Sequence, residues 1–86
     1  MQIPQLSAES KHVLQIIKVH GVCNGRQLIA ESDLTPEGVV EAIRQLINSE
    51  IVSASGGTFT AKEIGNAYFN IRPSNASLAE FVLKSP

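Results

Sequence analysis

The chain has 86 residues, of which 43% are hydrophobic and 17% charged, the composition of one folded domain with a single modest core. Seven basic and eight acidic side chains leave a formal charge of −1, which excludes a global attraction to phosphate backbones or anionic membranes. The single cysteine, Cys23, excludes an internal disulfide and any multi-thiolate zinc site.

Ser7 reads as the N-cap of a first helix, its hydroxyl placed to accept a backbone N–H of the first turn. Val13, Leu14 and Ile17 follow at helical spacing with Ile16 beside them, and Gly21 supplies the stop. Val19 falls nearly opposite that stripe, which suits a helix that packs against a second subunit. Val22 and Cys23 form a short extended piece, and Cys23 reads as a small buried apolar side chain.

Asn24 with Gln27 three positions on is a capping-box pattern, and Leu28, Ile29 and Ala30 give the next helix a short apolar face. Ser32, Asp33 and Leu34 make a tight turn. Thr35 then caps a longer helix with Pro36 at its first position, where a missing N–H costs nothing. Val39, Val40, Ile43, Leu46 and Ile47 form its buried stripe, and it ends near Ser49.

Residues 51–55 alternate loosely. Gly56 and Gly57 then permit a two-residue hairpin turn, with Thr58, Phe59 and Thr60 as the returning strand. Thr60 with Glu63 predicts a further helix carrying Ile64, Ala67, Tyr68 and Ile71, broken at Arg72 and Pro73. Asn75 or Ser77 caps a last short helix holding Leu78, Phe81 and Val82. The expected organisation is one domain over residues 1–86. Residues 7–60 form the core and wing, and residues 61–86 an apolar helical extension that covers the first helix or pairs with a twin.

The run from Gly21 to Val52 resembles the winged helix-turn-helix superfamily of transcription regulators, and the likeness extends over about residues 7–70. In that superfamily an apolar pair such as Leu28 and Ala30 anchors the second helix, and a residue like Thr35 starts the recognition helix. A series like Val39, Ile43 and Leu46 then holds that helix down, and an apolar pair like Ile51 and Val52 begins the wing. The resemblance implies a mainly α fold with a small β-hairpin (α+β): a three-helix core, a wing and C-terminal helices. It also implies double-stranded DNA as the partner.

On that reading Glu37, Gly38, Glu41, Arg44, Gln45 and Asn48 face outward from the third helix. Arg44, Gln45 and Asn48 carry the donors and acceptors that read base edges, and Glu41 is able to accept from cytosine. Arg26, Thr35 and Lys62 are the candidate phosphate contacts. Glu37 and Glu41 oppose them, and the wing tip offers no Lys or Arg. About three or four phosphate contacts per subunit follow, which makes a monomer a weak binder and a symmetric homodimer a useful one. The alternative is an interaction module that docks a protein on its acidic helix face or its apolar C-terminal helix.

His12 and His20 lie on one helix and have no carboxylate pair beside them; they read as surface histidines. No serine sits in a nucleophile elbow. No enzyme, cofactor or metal site is expected. Nothing approaches the ~20 apolar residues of a membrane span, so a cytoplasmic location and homodimerisation through the first helix and the C-terminal segment complete the expectation.

Overall fold

The computed structural model describes residues 6–56 and 60–84. Its elements run α1 (Ala8–His20), β1 (Val22–Asn24), α2 (Gly25–Ser32), α3 (Pro36–Asn48), β2 (Val52–Ser55), β3 (Tyr68–Ile71) and α4 (Ala76–Lys84), with single 3-10 turns at Ile64–Asn66 and Pro73–Asn75.

The caps decide where the first three helices begin. Ser7 Oγ accepts from Ser10 N, Asn24 Oδ1 accepts from Gln27 N, and Thr35 Oγ1 accepts from Gly38 N. Each side-chain oxygen satisfies one amide of a first turn that has no carbonyl four residues back. Gly21 ends α1 at φ 81°, donating its N–H to Ile17 O at 2.8 Å. Asp33 makes the α2–α3 turn in the left-handed region at φ 60°, and Ser32 Oγ supports it by accepting from Leu34 N. After α3, Glu50 takes φ 62°, and the amides of Glu50 and Ile51 reach back to Ile47 O and Leu46 O. That hydrogen-bonding pattern closes a helix C-terminus, here with a non-glycine residue in the left-handed position.

The three strands form one antiparallel sheet in the order β1-β3-β2. Phe69, on the central strand, stands opposite Cys23 on one side and Ala54 on the other. It is fully buried, and with Leu14, Ile17, Leu28, Ile43 and Leu46 it fills the space between sheet and helices. The stripes read for α1 and α3 face this core as expected, although Ile47 packs at its edge, only half-buried.

Two expectations are corrected here. The strand that pairs with β2 is Tyr68–Ile71: Val52 pairs with Ile71 and Ser55 with Tyr68. Thr60 is a bend, while Gly57, Thr58 and Phe59 lie outside the described residues. The described residues between β2 and β3, here called the wing loop, are Gly56 and 60–67. The helix expected from Thr60 is also replaced: Thr60 O accepts from Glu63 N and Ile64 N, the chain makes one 3-10 turn, and it then extends into β3. The apolar spacing of Ile64, Ala67, Tyr68 and Ile71 fits a helix. Pairing on both sides of β3 satisfies its amides and buries Phe69, which such a helix would turn away from that stripe. The segment after residue 60 thus supplies the central strand of the sheet as well as α4.

Helix α2 also differs from its reading. Leu28 is buried and Ile29 packs against the core, but Ala30 is exposed. The buried residues of α2 are Gly25, Leu28 and Ser32.

Candidate nucleic-acid interface

Helix α3 presents one bare face. With Val39, Val40, Ala42, Ile43 and Leu46 buried, Glu37, Glu41, Arg44, Gln45 and Asn48 are all exposed and Gly38 half-exposed, the arrangement the helical period requires. Arg44 makes an interaction within the domain, so the groups it offers outward are those left after that contact. Thr35 is exposed at the N-terminus of α3. Its oxygen accepts from Gly38 N at 3.1 Å, which leaves the hydroxyl hydrogen available to donate.

Gln45 is anchored on one side. Its Oε1 accepts from Ser7 N at 3.1 Å and from Ser10 Oγ at 2.7 Å, tying the start of α1 to the outward edge of α3. Ser10 is fully buried, and its hydroxyl also lies 3.3 Å from Ala42 O. Residue identity alone presents Gln45 as a free side chain; nothing local in the sequence marks a link between residues 35 positions apart.

Arg26 is exposed on the first turn of α2 and runs beside the wing loop: a Cβ at Gly65 would lie 3.8 Å from Arg26 Cβ. Lys62 is exposed on the same loop. The seam between them is set by Gly25, whose N–H donates to Ala67 O at 3.0 Å. A Cβ on Gly25 would sit 2.0 Å from Ile64 O, so only glycine lets α2 approach the wing base this closely. The seven candidate residues thus fall into two groups. Thr35, Glu41, Arg44, Gln45 and Asn48 share α3 and its cap, whereas Arg26 and Lys62 belong to α2 and the wing loop. At the near edge of the wing tip, Ser55 and Gly56 are exposed and carry no charge.

The remaining polar clusters have structural partners. His20 Nε2 donates to Glu31 Oε1 at 2.9 Å, and Gln27 Nε2 donates to His20 Nδ1 at 3.3 Å. The hydrogen bond from His20 holds the Glu31 carboxyl below its ordinary pKa, helped by Gln27, against a smaller opposing effect of desolvation. Cys23 is buried. Burial first, and the charge of Glu31 second, push its thiol up to about 11, which keeps it protonated and unreactive at neutral pH. Among the described residues no group of three His, Cys, Asp or Glu side chains is placed to hold a metal, and no helix is long and apolar enough to cross a membrane.

On the opposite side, α4 packs Ala79 and Val82 inward, and Lys18 pairs with Glu80 at 3.5 Å. An open groove of about 530 Å³ lies between the end of α1, the β1–β3 edge and α4, with Ile17, Val22, Ile71 and Ala79 among its walls. Val19 (70% exposed), Val22 (61%) and Phe81 (52%) stand on these same elements.

Solved structures share this architecture. BpsR of Bordetella bronchiseptica, whose DNA binding is regulated by 6-hydroxynicotinic acid, superposes with a TM-score of 0.74 at 16% identity, over 96% of this chain and 61% of that one. Two structures of the adhesin competence repressor AdcR from Streptococcus pyogenes superpose at TM-scores of 0.71 and 0.68, with 16% and 17% identity. They cover 95% and 90% of this chain and 57% and 55% of theirs. The chain therefore spans less than two thirds of the length of these neighbours. No protein-family model matches it, and no curated protein does. At this level of identity the likeness establishes the fold: a winged helix-turn-helix.

Proposed function

We propose that this winged helix-turn-helix chain binds double-stranded DNA in transcriptional control, with α3 in the major groove and the wing loop along the adjacent backbone. The observation that carries the reading is the bare outer face of α3. A helix pinned by a fully apolar stripe, capped at a threonine and exposed at Glu37, Glu41, Arg44, Gln45 and Asn48 on its other side is the element that enters a groove. Arg44, Gln45, Asn48 and Glu41 face base edges, and Thr35, Arg26 and Lys62 meet phosphates. Support comes from the neighbours, one described by the regulation of its DNA binding and the other as a repressor.

Glu37 and Glu41 lower the field at the contact surface, so a single copy binds weakly. Homodimerisation through α1 and α4 doubles the phosphate contacts, and the exposed Val19, Val22 and Phe81 supply apolar surface for it. The proposed working location is the cytoplasm.

The test is a titration of duplex DNA by fluorescence anisotropy across a salt series, with sedimentation run in parallel. The expected result is affinity that falls as salt rises, with a log–log slope of roughly −3 per subunit for three or four phosphate contacts. No binding at tens of micromolar protein in low salt, or binding with no salt slope, refutes the reading. Recovery of a protein partner whose binding is lost on reversing the charge of Glu41 would turn the assignment toward a protein-docking module.

A further inference from the structure

The anchoring of Gln45 has a consequence for which base the helix selects, and it rests on α3 being the DNA-reading helix. An unrestrained glutamine reads adenine with both ends of its amide: the carbonyl accepts from N6–H and the NH₂ donates to N7. Here the carbonyl is already engaged. Ser7 N donates to Gln45 Oε1 at 3.1 Å, and Ser10 Oγ donates to the same atom at 2.7 Å. A backbone N–H has no lone pair, so the amide atom facing Ser7 N is oxygen and the NH₂ group points the other way.

The anchor is itself built. Ser10 is fully buried, Ser7 Oγ donates to Ser10 Oγ at 3.1 Å, and Ser10 N donates to Ser7 Oγ at 3.2 Å. Both acceptor directions of the Gln45 carbonyl are therefore filled from inside the domain, while the residue as a whole stays exposed on the outer edge of α3. We infer that Ser7 and Ser10 hold Gln45 as a donor-only reader that selects guanine over adenine at the base pair it faces. Guanine presents two acceptors, N7 and O6, to the two hydrogens of the NH₂. Adenine presents one acceptor, and its N6–H₂ group faces another donor. Gln45 is then the specificity-determining residue at that base pair, and Ser10 a positioning residue that acts through it.

Selection of binding sites from random duplexes tests this with the whole chain. Comparison with Gln45→Ala identifies the base pair that Gln45 reads, as the position whose preference disappears. At that position the wild-type chain is expected to favour guanine over adenine by roughly tenfold, and replacing guanine with 7-deazaguanine is expected to weaken binding. Ser10→Ala is expected to narrow the guanine-to-adenine ratio there and to leave other positions unchanged. A wild-type preference for adenine, or no position altered by Gln45→Ala, overturns the inference. An unchanged ratio in a folded Ser10→Ala protein overturns the role given to Ser10. Should that variant not fold, the wild-type ratio and the 7-deazaguanine comparison still decide the case. Absence of salt-dependent DNA binding at any sequence refutes the DNA reading itself, an outcome distinct from binding with the wrong base preferred.

Discussion

Gly25→Ala isolates the contact between the second helix and the wing. The added methyl group would be centred 2.0 Å from Ile64 O and 2.6 Å from its carbonyl carbon, both backbone atoms that cannot rotate away. Either the 3-10 turn Ile64–Asn66 moves or α2 does, and the Gly25 N–H to Ala67 O bond of 3.0 Å is stretched with it. Overpacking of this kind costs about 1–3 kcal/mol, and a weakened hydrogen bond adds up to ~1 kcal/mol. Alanine's advantage over glycine in a helix, at most ~1 kcal/mol, offsets part of this. The net loss is about 2 kcal/mol, or roughly 10 °C in melting temperature for a domain of this size.

Gly38→Ala is the internal control. It also lies in a first helical turn, but its added carbon would meet Thr35 Oγ1 at 3.3 Å, a side-chain atom able to give slightly, and Leu34 Cβ and Cδ2 at the ordinary contact distances of 3.5 and 4.0 Å. There the helix-propensity gain dominates, and stability is expected to hold or rise by up to ~1 kcal/mol. Thermal melts followed by circular dichroism at 222 nm compare the two variants directly. Equal melting temperatures for Gly25→Ala and the wild-type chain would refute the account of this seam, because no rigid structure accommodates a 2.0 Å carbon–oxygen contact.

Three further outcomes are expected. Cys23 reacts with a thiol reagent at pH 8 only as fast as the domain opens, and denaturant abolishes that protection; since the folded thiol titrates near 11 against an ordinary 9.0, stability also falls as pH rises from 9 toward 11, and a Cys23→Ala variant shows a smaller fall. The folded Glu31 carboxyl is depressed from 4.5, so its stabilisation is present above that value and is lost as pH falls through the lower folded value; Glu31→Gln flattens the fall of melting temperature as pH drops below 4.5, and a wild-type-like slope there would contradict the His20 pairing. On the proposed function, Glu41→Lys raises duplex affinity by about tenfold at low salt, steepens the salt slope, and loses most of the gain near 1 M salt; an anisotropy titration showing no change would remove α3 from the contact surface.

The parts of the fold legible in the sequence are those written in local chemistry. Ser7, Asn24 and Thr35 announced their helices because a cap bonds an amide two or three residues away, and the stripes of α1 and α3 emerged because burial follows the helical period. Residues 64–71 are ambiguous in the sequence because their apolar spacing suits a helix as well as a strand. The deciding fact is non-local: β3 finds β1 on one side and β2 on the other, so its backbone is satisfied as a central strand. Gly25 carries a weak signal in the sequence. A glycine directly after an asparagine cap, at a position that needs no special backbone angle, points to a close approach by something else, though not to what approaches.

The same division runs through the candidate site. Which side chains face outward from α3 depends only on the helical period, and Glu37, Glu41, Arg44, Gln45 and Asn48 are exposed as that period requires. How they face outward depends on α1. Gln45 shares its helix face with a buried serine from another element, and the amide that looked free to use both ends has its oxygen turned inward. A bonding code read from residue identity assumes that every donor and acceptor is available, whereas a folded domain commits some of them to itself. At Gln45 the commitment removes the acceptor and keeps the donors, so the fold changes the chemistry that this residue shows to a base without changing the residue.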